Sequence, residues 1–286
     1  MRARKGAAIN EEMKKLVALL AATLFLFGCG AEQGKGISES SDKAPAPAGP
    51  VGRIRGVVRL QGDAPQQTFE PVTENQNTCG DRVALSRLAV GRDNGVQHAF
   101  VYLDGVKSDE KFRPRESLLV DQKNCQYAPH SLIVPVGSKI DITNSDAILH
   151  NVHGQQVTDE GAKTLFNIAQ PVRGQKTTVE SPLTTPGIVF LTCEAGHPWM
   201  NGYVFVANHP FVTVTGDDGQ FVIEGVPVGT YRIKMWHEGV RMTRNIKSLQ
   251  RYEYEEPYET TQDVTVTANG EAVVNFDLTL RPKNLE

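Results

Sequence analysis

Residues 188–206 read Ile188-Val189-Phe190-Leu191-Thr192-Cys193-Glu194-Ala195-Gly196-His197-Pro198-Trp199-Met200-Asn201-Gly202-Tyr203-Val204-Phe205-Val206. Both ends of the stretch are β-branched and aromatic, the composition of strands. Between them, in one short loop, fall a thiolate (Cys193), an imidazole (His197) and a thioether (Met200). All three are ligands for a soft metal. A single loop cannot surround a metal, so a further ligand must come from another strand. His150, within Asn144-Ser145-Asp146-Ala147-Ile148-Leu149-His150-Asn151-Val152, ends the next clear upstream strand.

Working outward, the chain after residue 50 reads almost entirely as short strands. Arg53–Leu60 and Ala99–Leu103 are β-branched or aromatic runs bounded by Gly, Asp and Pro. Ser131–Gly137 leads into Lys139–Asn144, which alternates cleanly. Val212–Thr215, then Gly216-Asp217-Asp218-Gly219, then Gln220–Ile223 predicts a hairpin. Val226–Ile233 supplies a turn and the following strand. Long helical patterns are absent beyond the first thirty residues. The expected class is all-β, built as sandwiches.

Two resemblances follow from these residues. Pro135, Val136, Gly137, Asn144, Asp146, His150, Asn151 and Val152, followed by Cys193, His197 and Met200, resemble the cupredoxin family, a Greek-key β-sandwich that carries type 1 copper. This resemblance covers about a third of the chain, residues 116–207. Gly219, Phe221, Pro227, Gly229 and Tyr231 resemble the carboxypeptidase regulatory-like module, a smaller transthyretin-like β-sandwich. The opening strands of that module match Gly56–Val58 and Ala99–Leu103, far upstream. A discontinuous module, 52–115 with 208–281, interrupted by the cupredoxin domain is therefore expected; two sandwiches in tandem is the alternative.

The cupredoxin resemblance implies one mononuclear copper. Cys193 is the strongly donating thiolate, His150 and His197 are the equatorial imidazoles, and Met200 is the weak axial ligand. Asn151 resembles the family residue that tightens the site by a hydrogen bond between loops. Pro198 and Trp199 shield the metal, or Trp199 simply packs in the core. The Cys-x3-His-x2-Met spacing is longer between Cys and His than in plastocyanin-like proteins. Its His-x2-Met part is similar to binuclear copper domains, but the second bridging cysteine is absent, so one metal is expected.

The N-terminus carries a different message. Arg2, Arg4, Lys5, Lys14 and Lys15 precede an apolar run, Leu16–Phe27, too short for a permanent membrane helix. Leu26-Phe27-Gly28-Cys29 resembles a bacterial lipobox, which implies a signal peptide over 1–28 and lipidation of Cys29. The alternative is an ordinary signal peptide ending in cysteine. Residues 29–51, rich in Ser, Gly, Ala and Pro, read as a disordered tether. Gly30 resembles the outer-membrane sorting pattern, so the expected location is the bacterial envelope, lipid-anchored and facing the periplasm.

An oxidising compartment also sets the cysteine reading. Of four cysteines, Cys29 goes to the lipobox and Cys193 to the metal. Cys79 and Cys125 remain, and they are predicted to form a disulfide contributing roughly 3–4 kcal/mol. The formal net charge of −3 leaves no basic footprint for nucleic acid.

Function follows from the copper reading. Outer-sphere electron transfer with a redox partner protein is expected, since the site tolerates both copper oxidation states. Copper delivery would favour an exposed, methionine-rich site, and the chain holds only five methionines. An adhesion or carbohydrate-binding role would use exposed aromatics, for which Trp236, Tyr252, Tyr254 and Tyr258 are candidates; the alternative is core and interdomain packing, which is expected for Trp236. An enzyme is not expected, because copper reductases and oxidases of this fold need further histidine clusters. His153 is read as a surface residue rather than a weak fifth ligand. His130 is structural, and His98, His209 and His237 have no metal-ligand context. The run Tyr252–Glu259 is either a docking surface for a basic partner or a solvated loop.

Overall fold

Strict alternation organises the first strand. Along Val51–Gln61, Ile54, Val58 and Leu60 are buried while Arg53, Arg55 and Arg59 face solvent. The computed structural model describes residues 49–67, 69–84, 87–106, 112–113, 118–158, 161–246 and 251–282. The expected signal segment, Cys29 and all but the last residues of the tether lie outside them.

Twenty-one strands run in order among the described residues. They begin with β1 (Val51–Gln61), β2 (Phe69–Pro71), β3 (Arg82–Ala84), β4 (Phe100–Asp104), β5 (Leu119–Lys123), β6 (Gln126–Ala128), β7 (Ser131–Pro135) and β8 (Asp141–Asn144). Next come β9 (His150–Thr158), β10 (Gly161–Gln170), β11 (Lys176–Thr178), β12 (Gly187–Thr192), β13 (Asn201–Ala207), β14 (Val212–Val214) and β15 (Gln220–Pro227). The last are β16 (Gly229–His237), β17 (Met242–Ile246), β18 (Arg251–Tyr254), β19 (Tyr258–Val266), β20 (Glu271–Val273) and β21 (Phe276–Thr279). One helical turn, α1 (Gln76–Cys79), is the sole α-helical segment among the described residues. The fold class is all-β, as expected.

Two facing pairs of sheets account for most of these strands. The first pair is a five-stranded sheet, β10-β9-β12-β13-β7, and a four-stranded sheet, β11-β8-β5-β6. Val120, Tyr127 and Ile142 from one meet Val134, Val152, Val189, Leu191, Val204 and Val206 from the other in one apolar core. The second pair is β14-β4-β16-β19 and the sheet in which β1 pairs with β15, β20 and β21. Its core joins Ile54, Val58 and Phe276 to Val101, Leu103, Ile233 and Met235. Thus β1 and β4 pair with strands from beyond residue 211, across the whole intervening segment.

A third core lies between the two pairs. Tyr203, Phe205 and Ala207 point away from the first core, and Phe100 and Trp236 point away from the second; all five pack together. Phe100 sits 5.4 Å from Phe205 and Trp236 sits 5.1 Å from Tyr203, ring centre to ring centre. This explains the unbroken apolar run Tyr203–Ala207: β13 is covered on both faces, so alternation disappears.

The sequence-predicted hairpin is corrected. Val212–Val214 and the strand after Gly219 belong to different sheets, β14 against β4 and β15 against β1. The turn itself forms, with Gly216 N donating to Gln220 O at 3.0 Å. Gly219, at φ +74°, then gives its carbonyl to Val58 N rather than to the partner strand. The turn therefore passes the chain from one layer of the sandwich to the other.

Gly56 marks a close approach within that layer. A Cβ there would stand 1.6 Å from the Val274 carbonyl oxygen, which is backbone and cannot turn aside. Gly56→Ala is expected to cost about 3 kcal/mol or more, by parting β1 from the segment that carries β20 and β21. Urea unfolding of the variant measures it.

Buried histidines set the acid limit. Burial, then His130, lowers the His98 pKa from 6.5 to about 4, and burial lowers His237 as well. A histidine with a depressed folded pKa holds its proton less well folded than unfolded, so stability is full above the unfolded value and falls as pH drops. The metal-free protein is expected to lose on the order of 1–3 kcal/mol between about pH 6.5 and about pH 4, allowing for the partial exposure of His98. A urea midpoint independent of pH across that window would contradict this.

Candidate metal centre

The loop that decides the fold also gathers the donors. Cys193 follows β12 directly, and Gly196 adopts φ +82°, a left-handed conformation that turns the chain back towards His197. The Cys193 Sγ then lies 3.7 Å from His197 Nδ1. Met200 N donates to His197 O at 3.0 Å, closing the loop before β13. The Met200 and Cys193 side chains share the first apolar core.

His150 comes from across the sheet. It opens β9 rather than ending a strand, because the turn 145–149 delivers it. Donor atoms of His150, Cys193 and His197 all lie within 4.8 Å of one another. The two imidazole rings are 4.7 Å apart and tilted by 59°. Exposure is 0 % for both histidines, 3 % for Cys193 and 1 % for Met200.

Asp146 orients His150. Its carboxylate accepts Asn124 N at 2.9 Å and Cys125 N at 2.8 Å, and stands 2.9 Å from His150 Nε2. An ionised carboxylate only accepts, so Nε2 carries the proton and Nδ1 keeps its lone pair. That Nδ1 is buried and has no hydrogen-bond partner. Asn144 builds the turn beneath, accepting Asp146 N at 2.9 Å while its amide donates to Ile148 O and Gln170 O, both at 2.8 Å.

Asn151 ties the two halves together. Its Oδ1 accepts Glu194 N at 3.1 Å, joining β9 to the Cys193 loop, and its amide donates to Asn167 Oδ1 at 2.5 Å. Trp199 stands edge-on to His197, 5.4 Å away at 74°, and donates Nε1–H to Cys125 O at 3.1 Å.

Electrostatics favour neutral imidazoles. Burial, then His150, lowers the His197 pKa to about 4. Burial also lowers His150, against the opposing pull of Asp146. The Cys193 thiol is pushed up by burial and pulled back by backbone N–H groups of Ala195, Asn151 and His197. Binding a metal at this thiol therefore releases a proton.

Cys79 and Cys125 form the predicted disulfide, with Cα atoms 5.3 Å apart. Sequence reasoning missed where it sits. Either sulfur lies within 4.8 Å of a His197 ring nitrogen, and Cys125 Sγ lies equally close to donor atoms of His150 and Asp146. It also missed Asn75, whose Nδ2 is 3.4 Å from His197 Nε2. No local signal marks either contact, since both depend on residues far apart in the chain.

Other histidines take different places. His153 is not a surface residue: it is buried, with Nδ1 2.6 Å from Glu194 Oε1 and Nε2 2.8 Å from Thr164 Oγ1. Both nitrogens are thereby taken, which leaves none for a fifth ligand. His130 contacts Glu238. The run Tyr252–Glu259 is not a solvated loop, for Tyr252 and Tyr258 are buried and Arg87 lies 3.2 Å above the Tyr254 ring. Trp236 packs in the third core, as expected for it.

No family model matches the sequence, and no curated protein matches it. Solved structures do. A point mutant of amicyanin in its reduced form is 25 % identical, with 37 % of this chain and 91 % of that chain covered, at a TM-score of 0.27. A Cu-containing nitrite reductase from Thermus scotoductus is 20 % identical over 36 % of this chain and 25 % of its own, at a TM-score of 0.27. A purple cupredoxin from Nitrosopumilus maritimus is 24 % identical over 32 % of this chain and all of its own, also at a TM-score of 0.27.

Proposed function

We propose that this chain is an envelope-anchored electron-transfer protein carrying one copper, held by His150, Cys193, His197 and Met200 in a cupredoxin domain spanning residues 116–207. In this reading the cupredoxin domain interrupts a regulatory-like β-sandwich made of 52–115 and 208–281, and Cys29 carries the lipid anchor. The partner is a redox protein.

One observation carries the copper reading. A buried imidazole nitrogen, His150 Nδ1, has no hydrogen-bond partner, while a free buried thiol and a second neutral imidazole lie within 4.8 Å. A buried polar atom without a partner costs about 1–3 kcal/mol, which a bound cation would offset. Two neutral imidazoles, a thiolate and a thioether form the donor set that suits copper in both oxidation states. The residues fit the group.

When bound, copper would supply a one-electron redox centre. The chain's own residues do the rest. Asp146 holds the His150 ring, Asn151 holds the Cys193 loop, and Trp199 with the first core excludes water. A site restrained in this way changes little between oxidation states, which favours outer-sphere transfer. Burial of all four donors speaks against rapid exchange with a metal acceptor, and so against delivery as the main role.

The test is an absorption spectrum of the purified full-length chain titrated with Cu(II). An intense visible thiolate-to-copper band that saturates at one equivalent is expected. Binding without such a band, or no binding, would overturn the reading.

A further inference from the structure

The histidine that completes the proposed centre is fully covered, and the cover is a short segment held by the disulfide. His197 has no exposed surface, and Asn75 faces its Nε2 at 3.4 Å. Asn75 is itself in a left-handed conformation, φ 58°, which costs a non-glycine residue of order 1 kcal/mol. Its carbonyl accepts from both Thr78 N and Cys79 N at 2.9 Å, which starts α1. Gln76 Nε2 donates back to Val72 O at 2.7 Å, and Val72 N donates to Asp81 O at 2.9 Å. Residues 72–81 thus make a small closed turn over His197, and Cys79–Cys125 fastens it to the site.

Cys125 occupies a central position beneath this cover. Its backbone N–H feeds the Asp146 carboxylate that holds His150, and its carbonyl accepts from Trp199, which flanks His197. Its sulfur lies within 4.8 Å of donor atoms of both histidines. Cys79 Sγ, Cys125 Sγ and a His197 ring nitrogen all lie within 4.8 Å of one another, and the two sulfurs are at present bonded to each other.

We propose that reduction of Cys79–Cys125 by a dithiol turns this cover into a second, Cu(I)-selective acceptor site, made of the two cysteine thiolates with His197, through which metal reaches the buried centre. The inference rests on the copper reading above. The step balances. A dithiol attacks one sulfur, the Cys79–Cys125 bond breaks, and the reductant leaves as its own disulfide. Its two electrons and two protons remain on the cysteines as two thiols, and Cu(I) binding displaces those protons to water. Two thiolates and an imidazole are soft donors, which select Cu(I) over harder cations. Because the four inner donors are buried, a route inward is needed, and the cover is the part of the described chain that lies against His197 without belonging to either main sandwich.

Cu(I) titration against a chromogenic Cu(I) chelator tests this on full-length Cys193→Ser, which removes the inner thiolate. Reduction by a dithiol, which is then removed under anaerobic conditions, is expected to raise its Cu(I) affinity by about 100-fold, with two sulfur donors in the copper-edge X-ray absorption spectrum. The gain should vanish when Cys79→Ser and Cys125→Ser are added. Reduced Cys193→Ser binding Cu(I) no better than its oxidised form would overturn the inference. So would loss of the β-sheet circular dichroism on reduction, since the acceptor must be folded. The outcomes separate the two readings: without a visible band in the wild-type chain the inner centre falls, whatever the reduced cysteines bind.

Discussion

Cys193→Ser is expected to abolish the visible band of the copper-loaded chain and to lower copper affinity by at least about 1000-fold. The reason lies in donor chemistry. Serine keeps the shape of cysteine within a few tenths of an ångström, but its hydroxyl stays protonated at neutral pH and gives no charge-transfer band with copper. The variant is a sound control because its effect on folding is small by comparison. Cys193 is 3 % exposed in the first core, where a buried hydroxyl costs about 1–2 kcal/mol, well within the stability of an ordinary domain. Backbone N–H groups of Ala195, Asn151 and His197, which now point at the sulfur, can serve the hydroxyl. Absorption and thermal unfolding should be read on the same sample. A band that survives in Cys193→Ser would remove the thiolate from the site.

Glu238→Ala is expected to destabilise the protein by about 3–5 kcal/mol, more than any surface substitution. Glu238 is 3 % exposed just beyond the end of β16, beside the third core. Its carboxylate faces Arg87 at 3.4 Å, a guanidinium only 6 % exposed, and meets His130 at the other oxygen. Burial alone would raise this carboxyl, but His130, then Arg87 and His237, together hold it below the usual range. Removing it leaves Arg87 buried with the Tyr203 hydroxyl at 2.8 Å and the Tyr254 and Phe190 rings as its remaining support. The cost is mostly that stranded charge, so Arg87→Met combined with Glu238→Met should cost much less than the two singles added. Urea unfolding of the four proteins forms the cycle, and strict additivity would contradict the coupling.

The readable parts of the molecule were those whose physics is local. Alternation along Arg53–Leu60 and β-branched runs such as Ile188–Thr192 announce strands because a pleated backbone sends successive side chains to opposite faces. The all-β class follows from such runs without any knowledge of how they pair. Donor types packed into Cys193–Met200 are visible for the same reason, since one loop places them together whatever the rest of the chain does. The disulfide was legible by elimination among few cysteines, once the N-terminal segment was read as an export signal.

What stayed hidden depends on contacts between distant segments. The 212–223 stretch has hairpin composition, yet its strands part into two sheets, because Gly219 bonds to Val58 on a strand that no turn statistic knows about. His153 carries no mark of burial, but Glu194 and Thr164 close on it once β10 and the Cys193 loop fold against β9. The disulfide was foreseen as a staple; only the folded chain sets both sulfurs and Asn75 against His197. The amino-acid sequence by itself determined the strands, the cysteine pair and the kinds of donor present. Tertiary structure alone decided which faces are covered twice, which nitrogen is left without a partner, and what closes over the site, because burial belongs to layers rather than to residues.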